Sequence, residues 1–166
     1  ELASARASMT EDEYAQEYEC AFEASVKGAV YARELQQARD DGRITFVPYD
    51  PALPVDTNWD IGFRDATAVW FTQSAYAGRV AVIDYYENHG FGLDHYVQVV
   101  NQRPYVYGEH WLPHEANQKE FATGKTMVET ARVMLRPTVL APPLLPVQDG
   151  IHAARMLLPK CWFDSK

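Results

Sequence analysis

Positive charge is what this sequence has too little of: 15 lysines and arginines stand against 23 aspartates and glutamates, a net charge of −8. A protein held on a polyanion by bulk electrostatics carries the opposite sign, so any nucleic-acid contact must be local, bridged by metal ions or assisted by a partner. Cysteine is scarce as well. Cys20 and Cys161 lie far apart and match no metal-ligand spacing, which excludes a disulfide framework and fits reduced, intracellular thiols. Long apolar runs are missing: the longest, Thr138 to Val147, is broken by Pro142, Pro143 and Pro146, and the N-terminus is no signal peptide. These absences point to a soluble, cytoplasmic protein with no membrane partner. No internal repeat or low-complexity tract is present. What remains is 166 residues with 47% hydrophobic and 13% aromatic content, enough for one globular domain with a substantial core.

Thr10-Glu11-Asp12-Glu13 has the form of a capping box, and Tyr14, Tyr18, Ala21 and Phe22 recur after it at helical spacing, which predicts a helix over 10–23. A second helix, over 29–40, carries Tyr31, Leu35 and Ala38 on one side and stops at Gly42. Both stripes read as buried packing faces. Residues 1–43 thus form a helical arm ahead of a unit over 44–166. Ile44 to Val47 is an edge-strand candidate, and Pro48, Pro51 and Pro54 stiffen the approach to the next strand. In Val55-Asp56-Thr57-Asn58-Trp59-Asp60-Ile61-Gly62, alternation puts Val55, Thr57 and Trp59 on one face and Asp56, Asn58 and Asp60 on the other, with Gly62 letting the backbone turn away. Strands over 66–73 and 79–87 come next across short connections and make an antiparallel meander.

Leu93, Tyr96, Val97 and Val100 then recur at i, i+3, i+4, i+7, predicting a crossover helix from Gly92 to Asn101. A fourth strand over 105–112 runs into Pro113-His114-Glu115. Gly124-Lys125-Thr126 invites a phosphate-loop reading, which fails because the glycine required five residues earlier is Lys119. Thr126 to Glu129 instead reads as a capping box opening a helix to Met134, which leaves Lys125 in an exposed loop. A fifth strand over 138–141 precedes a last helix from Pro146 to Leu158, with Ile151, Ala154, Leu157 and Leu158 facing inward and Pro159 as its stop. Three antiparallel strands, then helix, strand, helix, strand, helix, is the layout of a ribonuclease H-like α/β fold with a mixed five-stranded sheet.

Three acids sit at the recurrent positions of that layout: Asp60 at the end of the first meander strand, Glu115 just past the fourth strand, and Asp149 at the opening of the last helix. Carboxylate oxygens suit Mg²⁺ or Mn²⁺, and two such ions about 3.5–4 Å apart can activate a water and stabilise the leaving oxygen of a phosphodiester. Each acid also has a plainer explanation. Asp149 could serve the helix macrodipole and Glu115 could be a loop acid, whereas Asp60 in an apolar-flanked strand asks for a partner or a metal. Asp65, Asp84, His114 and His152 are reserves. Asp84 shares a strand face with Val80 and Val82 in this reading, where a solvated or salt-bridged role competes with a catalytic one.

Trp59-Asp60-Ile61-Gly62, Asp65-Ala66-Thr67-Ala68-Val69-Trp70-Phe71, Ile83-Asp84-Tyr85-Tyr86-Glu87, Leu112-Pro113-His114-Glu115-Ala116, Thr123-Gly124-Lys125-Thr126, Val147-Gln148-Asp149-Gly150-Ile151 and Cys161-Trp162-Phe163-Asp164 stand in collinear order along the chain. Together they resemble the C-terminal nuclease domain of tailed-bacteriophage terminase large subunits. The resemblance covers nearly the whole chain, and residues 1 to about 43 resemble the segment joining that family's ATPase domain to its nuclease. The start at Glu1 accordingly reads as a domain excised from a longer protein. The resemblance implies a metal-dependent endonuclease that cuts concatemeric viral DNA in the host cytoplasm, with Asp60, Glu115 and Asp149 as metal ligands and Lys125 as a phosphate contact. Its implied partners are double-stranded DNA, the ATPase domain absent from this chain, the portal and the small terminase subunit. One departure stands out: relatives often carry aspartate where Glu115 stands, and the extra methylene alters ligand geometry. A junction resolvase or ribonuclease of the same fold, and a non-catalytic docking module, are the alternatives.

Overall fold

The computed structural model describes residues 30–62, 65–75, 78–121 and 123–166. The helix expected over 10–23, and Cys20 with it, lie outside them. Seven strands form one sheet: β1 (Ile44–Thr45), β2 (Val55–Asp60), β3 (Thr67–Ser74), β4 (Val80–Asn88), β5 (Tyr107–Trp111), β6 (Thr138–Leu140) and β7 (Cys161–Asp164), in the order β1-β7-β4-β3-β2-β5-β6. Among the strand pairs only β2–β3 and β3–β4 are antiparallel, so β3 alone runs against the rest. The helices are α1 (Ala32–Asp40), α2 (Leu93–Gln102), α3 (Met127–Met134) and α4 (Val147–Leu157). None is long and apolar enough to cross a membrane.

The expected five strands are present as β2 to β6, the edge-strand candidate over 44–47 is present as β1, and the count of five is corrected to seven by β1 and the unforeseen β7 beyond β4. Cys161-Trp162-Phe163 aligns with Val80-Ala81-Val82, and Ile44–Thr45 then pairs with Phe163–Asp164. Arg43 explains why two such short strands hold. Its buried guanidinium donates through Nη1 to the carbonyls of Leu158 and Cys161 at 3.0 and 2.8 Å, and through Nε to Asp41 at 3.2 Å. A buried cation with this many partners is satisfied rather than stranded.

The alternation read in β2 is realised: Val55, Thr57 and Trp59 are buried and Asn58 and Asp60 are exposed. The buried face continues through Val69 and Phe71 of β3 and packs with Tyr96, Val97 and Val100 of α2 and Val128 and Ala131 of α3. Each of the larger residues, fully buried, contributes about 1.5–3 kcal/mol. The core has a polar thread as well. Trp59 Nε1 donates to Thr57 Oγ1 at 2.7 Å, Thr57 Oγ1 meets His110 Nδ1 at 2.7 Å, and His110 Nε2 reaches the Arg136 carbonyl at 2.9 Å. A carbonyl only accepts, so Nε2 carries the proton and Nδ1 takes the threonine hydroxyl. Buried Gln73 pins the proline-rich approach: its Oε1 accepts from Asp50 N–H, and its Nε2 donates to the carbonyls of Asp50 and Leu53.

Two expectations need correction. Asp84 does not share a face with Val82, because the β3–β4 register slips between Phe71 and Thr72: Thr72 pairs with Val82 but Phe71 pairs with Asp84. The bulge turns Asp84 to the core side. The last helix also packs less deeply than its apolar spacing suggests, since α4 has no buried residue and Leu157 stays exposed.

Candidate active site

Asp60 is the last residue of β2, exposed on the face away from the core. Its backbone surroundings are held by Thr67, whose hydroxyl accepts from Gly62 N–H at 3.2 Å and donates to Gly62 O at 2.7 Å. A Cβ at Gly62 would come within 3.1 and 3.2 Å of the carbonyl oxygens of Asp65 and Ala66, a tight approach that favours glycine in the turn. The Asp60 side chain forms no hydrogen bond or ion pair with another described residue. The contrast with Asp56, on the same face, is informative. Asp56 Oδ1 accepts Glu109 N–H at 2.7 Å across the irregular β2–β5 junction, and a Cβ at Gly108 would collide with that oxygen. Asp56 is structural, whereas the Asp60 carboxylate has no partner among the described residues.

Pairing along the sheet sets Asp60 beside Ala68, and Ala68 beside Glu87. Glu87 therefore faces Asp60 across a small side chain on the same open surface, a residue the sequence reading passed over. Outward alternation along β4 from Tyr85 to Glu87 was its available signal. The next row holds Trp70 against Tyr85, ring centroids 4.3 Å apart. Tyr85 donates its hydroxyl to Glu87. Burial, then that hydrogen bond, then the charges of Glu87 and Asp60 push its phenol up to about 12.

Glu115 reaches the same end of the sheet by a different route. β5 lies parallel beside β2, with Trp111 next to Asn58. Leu112 is buried and its N–H donates to Leu140 O at 2.9 Å; Pro113 then opens a single 3₁₀ turn, His114–Asn117. Ala116 is buried beneath that turn, which leaves Glu115 pointing out and within 3.0 Å of His114 Nδ1. Asp149 sits in the first turn of α4. That helix leaves the carboxyl end of β6 and returns to the start of β7, parallel to β6 in the sheet. Its first turn is exposed, on the connection that crosses from β6 at one side of the sheet to β7 at the other.

All three donors are carboxylate oxygens, the chemistry a hard divalent cation takes. They are not closed on one another, however: among the described residues no group of three or more His, Cys, Asp or Glu side chains is gathered tightly enough to hold a metal. The reserves separate clearly. Asp84 is engaged by Arg103 Nε at 2.8 Å and by Tyr105 O–H at 3.2 Å. The phenol of Tyr105 is pushed up to about 12, by burial first and the Asp84 charge second. His114 is taken up by Glu115, and Asp65 and His152 are exposed. Lys125 lies in the exposed loop before α3, and the expected capping box is formed there: Glu129 N–H donates to Thr126 Oγ1, and Thr126 N–H to the Glu129 carboxylate.

No family model and no curated protein matches the chain. Solved structures do. The nuclease domain of the P22 large terminase aligns with 74% of this chain and 68% of its own, at 14% identity and a TM-score of 0.54. The fold is that of a large-terminase nuclease. The large terminase nuclease of thermophilic phage G20c with bound zinc aligns over 75% of this chain and 78% of its own, at 12% identity and a TM-score of 0.51. The same G20c nuclease also matches in a form with bound cobalt. The large terminase of another thermophilic bacteriophage aligns with 95% of this chain at 14% identity and a TM-score of 0.56, and the chain spans 41% of that protein's length. Identities this low carry the likeness at the level of the fold.

Proposed function

We propose that this chain is the nuclease domain of a phage DNA-packaging terminase, a divalent-metal-dependent endonuclease that cuts concatemeric viral DNA in the host cytoplasm. The observation that supports it best is that Asp60 and Glu115 lie at the adjacent carboxyl ends of β2 and β5 on a terminase-nuclease fold, with Asp149 opening the helix that follows β6. Asp60, Glu115 and Asp149 are the proposed ligands of Mg²⁺ or Mn²⁺. A bound ion pair would supply an activated water and charge stabilisation for the departing oxygen. The chain's own contribution is position. Asp60 is presented, without a side-chain partner among the described residues, from a strand end whose turn is clasped by Thr67, and Glu115 rides on a turn anchored by Leu112 and Ala116.

With a net charge of −8 the domain meets DNA against its own field, so delivery falls to partners: the ATPase domain, the portal and the small terminase subunit. Purified chain should convert supercoiled plasmid to nicked and linear forms with Mn²⁺ or Mg²⁺ and stop when chelator is added. Cleavage that persists in chelator would sink the metal mechanism. Linear duplex should be cut at least as well as branched DNA or RNA–DNA hybrids, the substrates of a resolvase or a ribonuclease.

Lys125→Ala should slow cleavage of all sequences alike and lower the salt dependence of binding by about one counterion, as loss of one phosphate contact does. The Mn²⁺ concentration giving half-maximal activity should stay where it is. An unchanged salt slope would mean that the ammonium is merely solvated.

A further inference from the structure

Phe121 is the most exposed large apolar side chain among the described residues, with its ring wholly in water. The chain around it is nonetheless fastened. Lys119 and Thr126 form an antiparallel bridge, Glu120 N–H donates to Lys125 O at 2.9 Å, and Gly124 N–H donates to Glu120 O at 2.8 Å. Gly124 supplies the φ of +67° that the turn requires. The loop grows directly out of the Glu115 turn, where Gln118 N–H donates to Glu115 O at 2.9 Å, and it ends in the capping box of α3.

Its charges are sorted. Glu120 accepts the Thr123 hydroxyl at 3.1 Å, and the Glu129 carboxylate accepts Thr126 N–H at 2.7 Å, so both acids are held by the turn itself. Lys119 and Lys125 enter no ion pair among the described residues. In sequence the ring lies between two lysines that make no ion pair among the described residues, though both feel the charge of Glu129, on a loop that begins at one of the proposed catalytic acids. A protein partner would ask for a wider apolar surround to keep water off such an anchor. The described neighbours here, Glu120, Thr123 and Gly124, are exposed and polar or lack a side chain.

Resting on the nuclease reading, we propose that this loop is a DNA wedge: Phe121 packs against a base step of the duplex to be cut, while Lys119 and Lys125 hold the flanking phosphates. Apolar side chains inserted this way unstack a step and bend the helix, and the cations set the register. For a protein whose overall charge repels DNA, a local grip of this kind is the sort of contact that remains.

The test measures binding of the 166-residue chain to a short duplex carrying 2-aminopurine, in chelator so that nothing is cut, across a series of salt concentrations. Phe121→Ala should weaken binding about tenfold, the scale of a lost aromatic–base contact, with its salt slope unchanged because a phenyl ring displaces no counterion. Lys119→Ala should weaken binding and lower the slope by about one. The wild type should raise 2-aminopurine emission, Phe121→Trp should do likewise and Phe121→Ala should not, all three melting at the same temperature. Phe121→Ala binding as tightly as the wild type, or a wild type that binds without unstacking the probe, overturns the wedge. If that same wild type nicks plasmid with Mn²⁺, only the wedge has fallen; if it neither binds nor nicks, the nuclease reading has fallen and the wedge with it.

Discussion

Asp60→Asn is expected to lower metal-dependent plasmid nicking by about a hundredfold or more, the scale at which a lost catalytic group is felt. Glu115→Gln and Asp149→Asn should do the same. Each swap removes charge with little change of shape. The Asp60 side chain has no hydrogen bond or ion pair among the described residues, so the swap strands no buried group among them. The metal-free melting temperature should therefore hold or rise, since relief of repulsion from Glu87 favours the folded state, while stabilisation by added Mn²⁺ disappears. Asp84→Asn should behave in the opposite way. It removes the charge that Arg103 holds at 2.8 Å in a half-buried setting, at a cost of about 1–3 kcal/mol, and leaves nicking largely intact. Initial nicking rates and thermal melts with and without Mn²⁺ separate the two classes. Full activity in Glu115→Gln together with a dead Asp84→Asn would overturn the assignment of the site.

The second large effect is a loss of stability on mild acidification, centred on His110. Burial lowers the pKa of this imidazole, opposed by its hydrogen bond to the Arg136 carbonyl and by the charge of Asp56. In the unfolded chain a histidine takes up its proton near pH 6.5, whereas the folded one resists until lower pH. Between those two values the unfolded state binds more protons, so stability falls as pH falls, by at most about 1.4 kcal/mol per pH unit for one site. Protonation would also place a second N–H against the Thr57 hydroxyl, which already accepts from Trp59 at 2.7 Å. Asp41, Glu129 and Asp164, whose carboxyls are held below their ordinary values, act in a different window: their stabilisation is lost only as pH drops through the carboxylate range. Thermal melts from pH 7.5 to 5 should show the histidine's decline first. His110→Gln should melt lower at pH 7.5 and show a flatter slope between pH 7 and 5. An unchanged slope would remove His110 as the cause.

The strands that carry Asp60 and Glu115, and the helices over them, could be read from sequence because each announces itself within a few residues. Val55 to Asp60 alternates without exception, and Tyr96, Val97 and Val100 sit on one helical stripe. At the edge, β1 was legible as the strand expected over 44–47, but its partner β7 could not be read that way. Cys161-Trp162-Phe163-Asp164 is too short to show a period, and its stability depends on Arg43, a residue whose type argues for solvent and whose burial is decided by carbonyls more than a hundred positions away. Asp84 was misplaced for a related reason: a bulge is a property of two strands together, so counting along one of them sends every later residue to the wrong face. Within the candidate site, positions at strand ends were legible, but Glu87 was not, because its proximity to Asp60 passes through Ala68 on a third strand.

The clamp at that edge has a mechanical meaning. β1 and β7 run parallel, joined by Phe163 N–H to Arg43 O at 2.8 Å, Ser165 N–H to Thr45 O at 2.9 Å and Val47 N–H to Asp164 Oδ2 at 2.8 Å. A load that enters along α1 and leaves past Lys166 pulls β1 from its amino end and β7 from its carboxyl end. In parallel strands those pulls slide one strand along the other, so the bonds are strained together in shear instead of being peeled one after another. Tension applied between the two ends would thus be borne at the rim of the sheet before it reached the turn that holds Asp60.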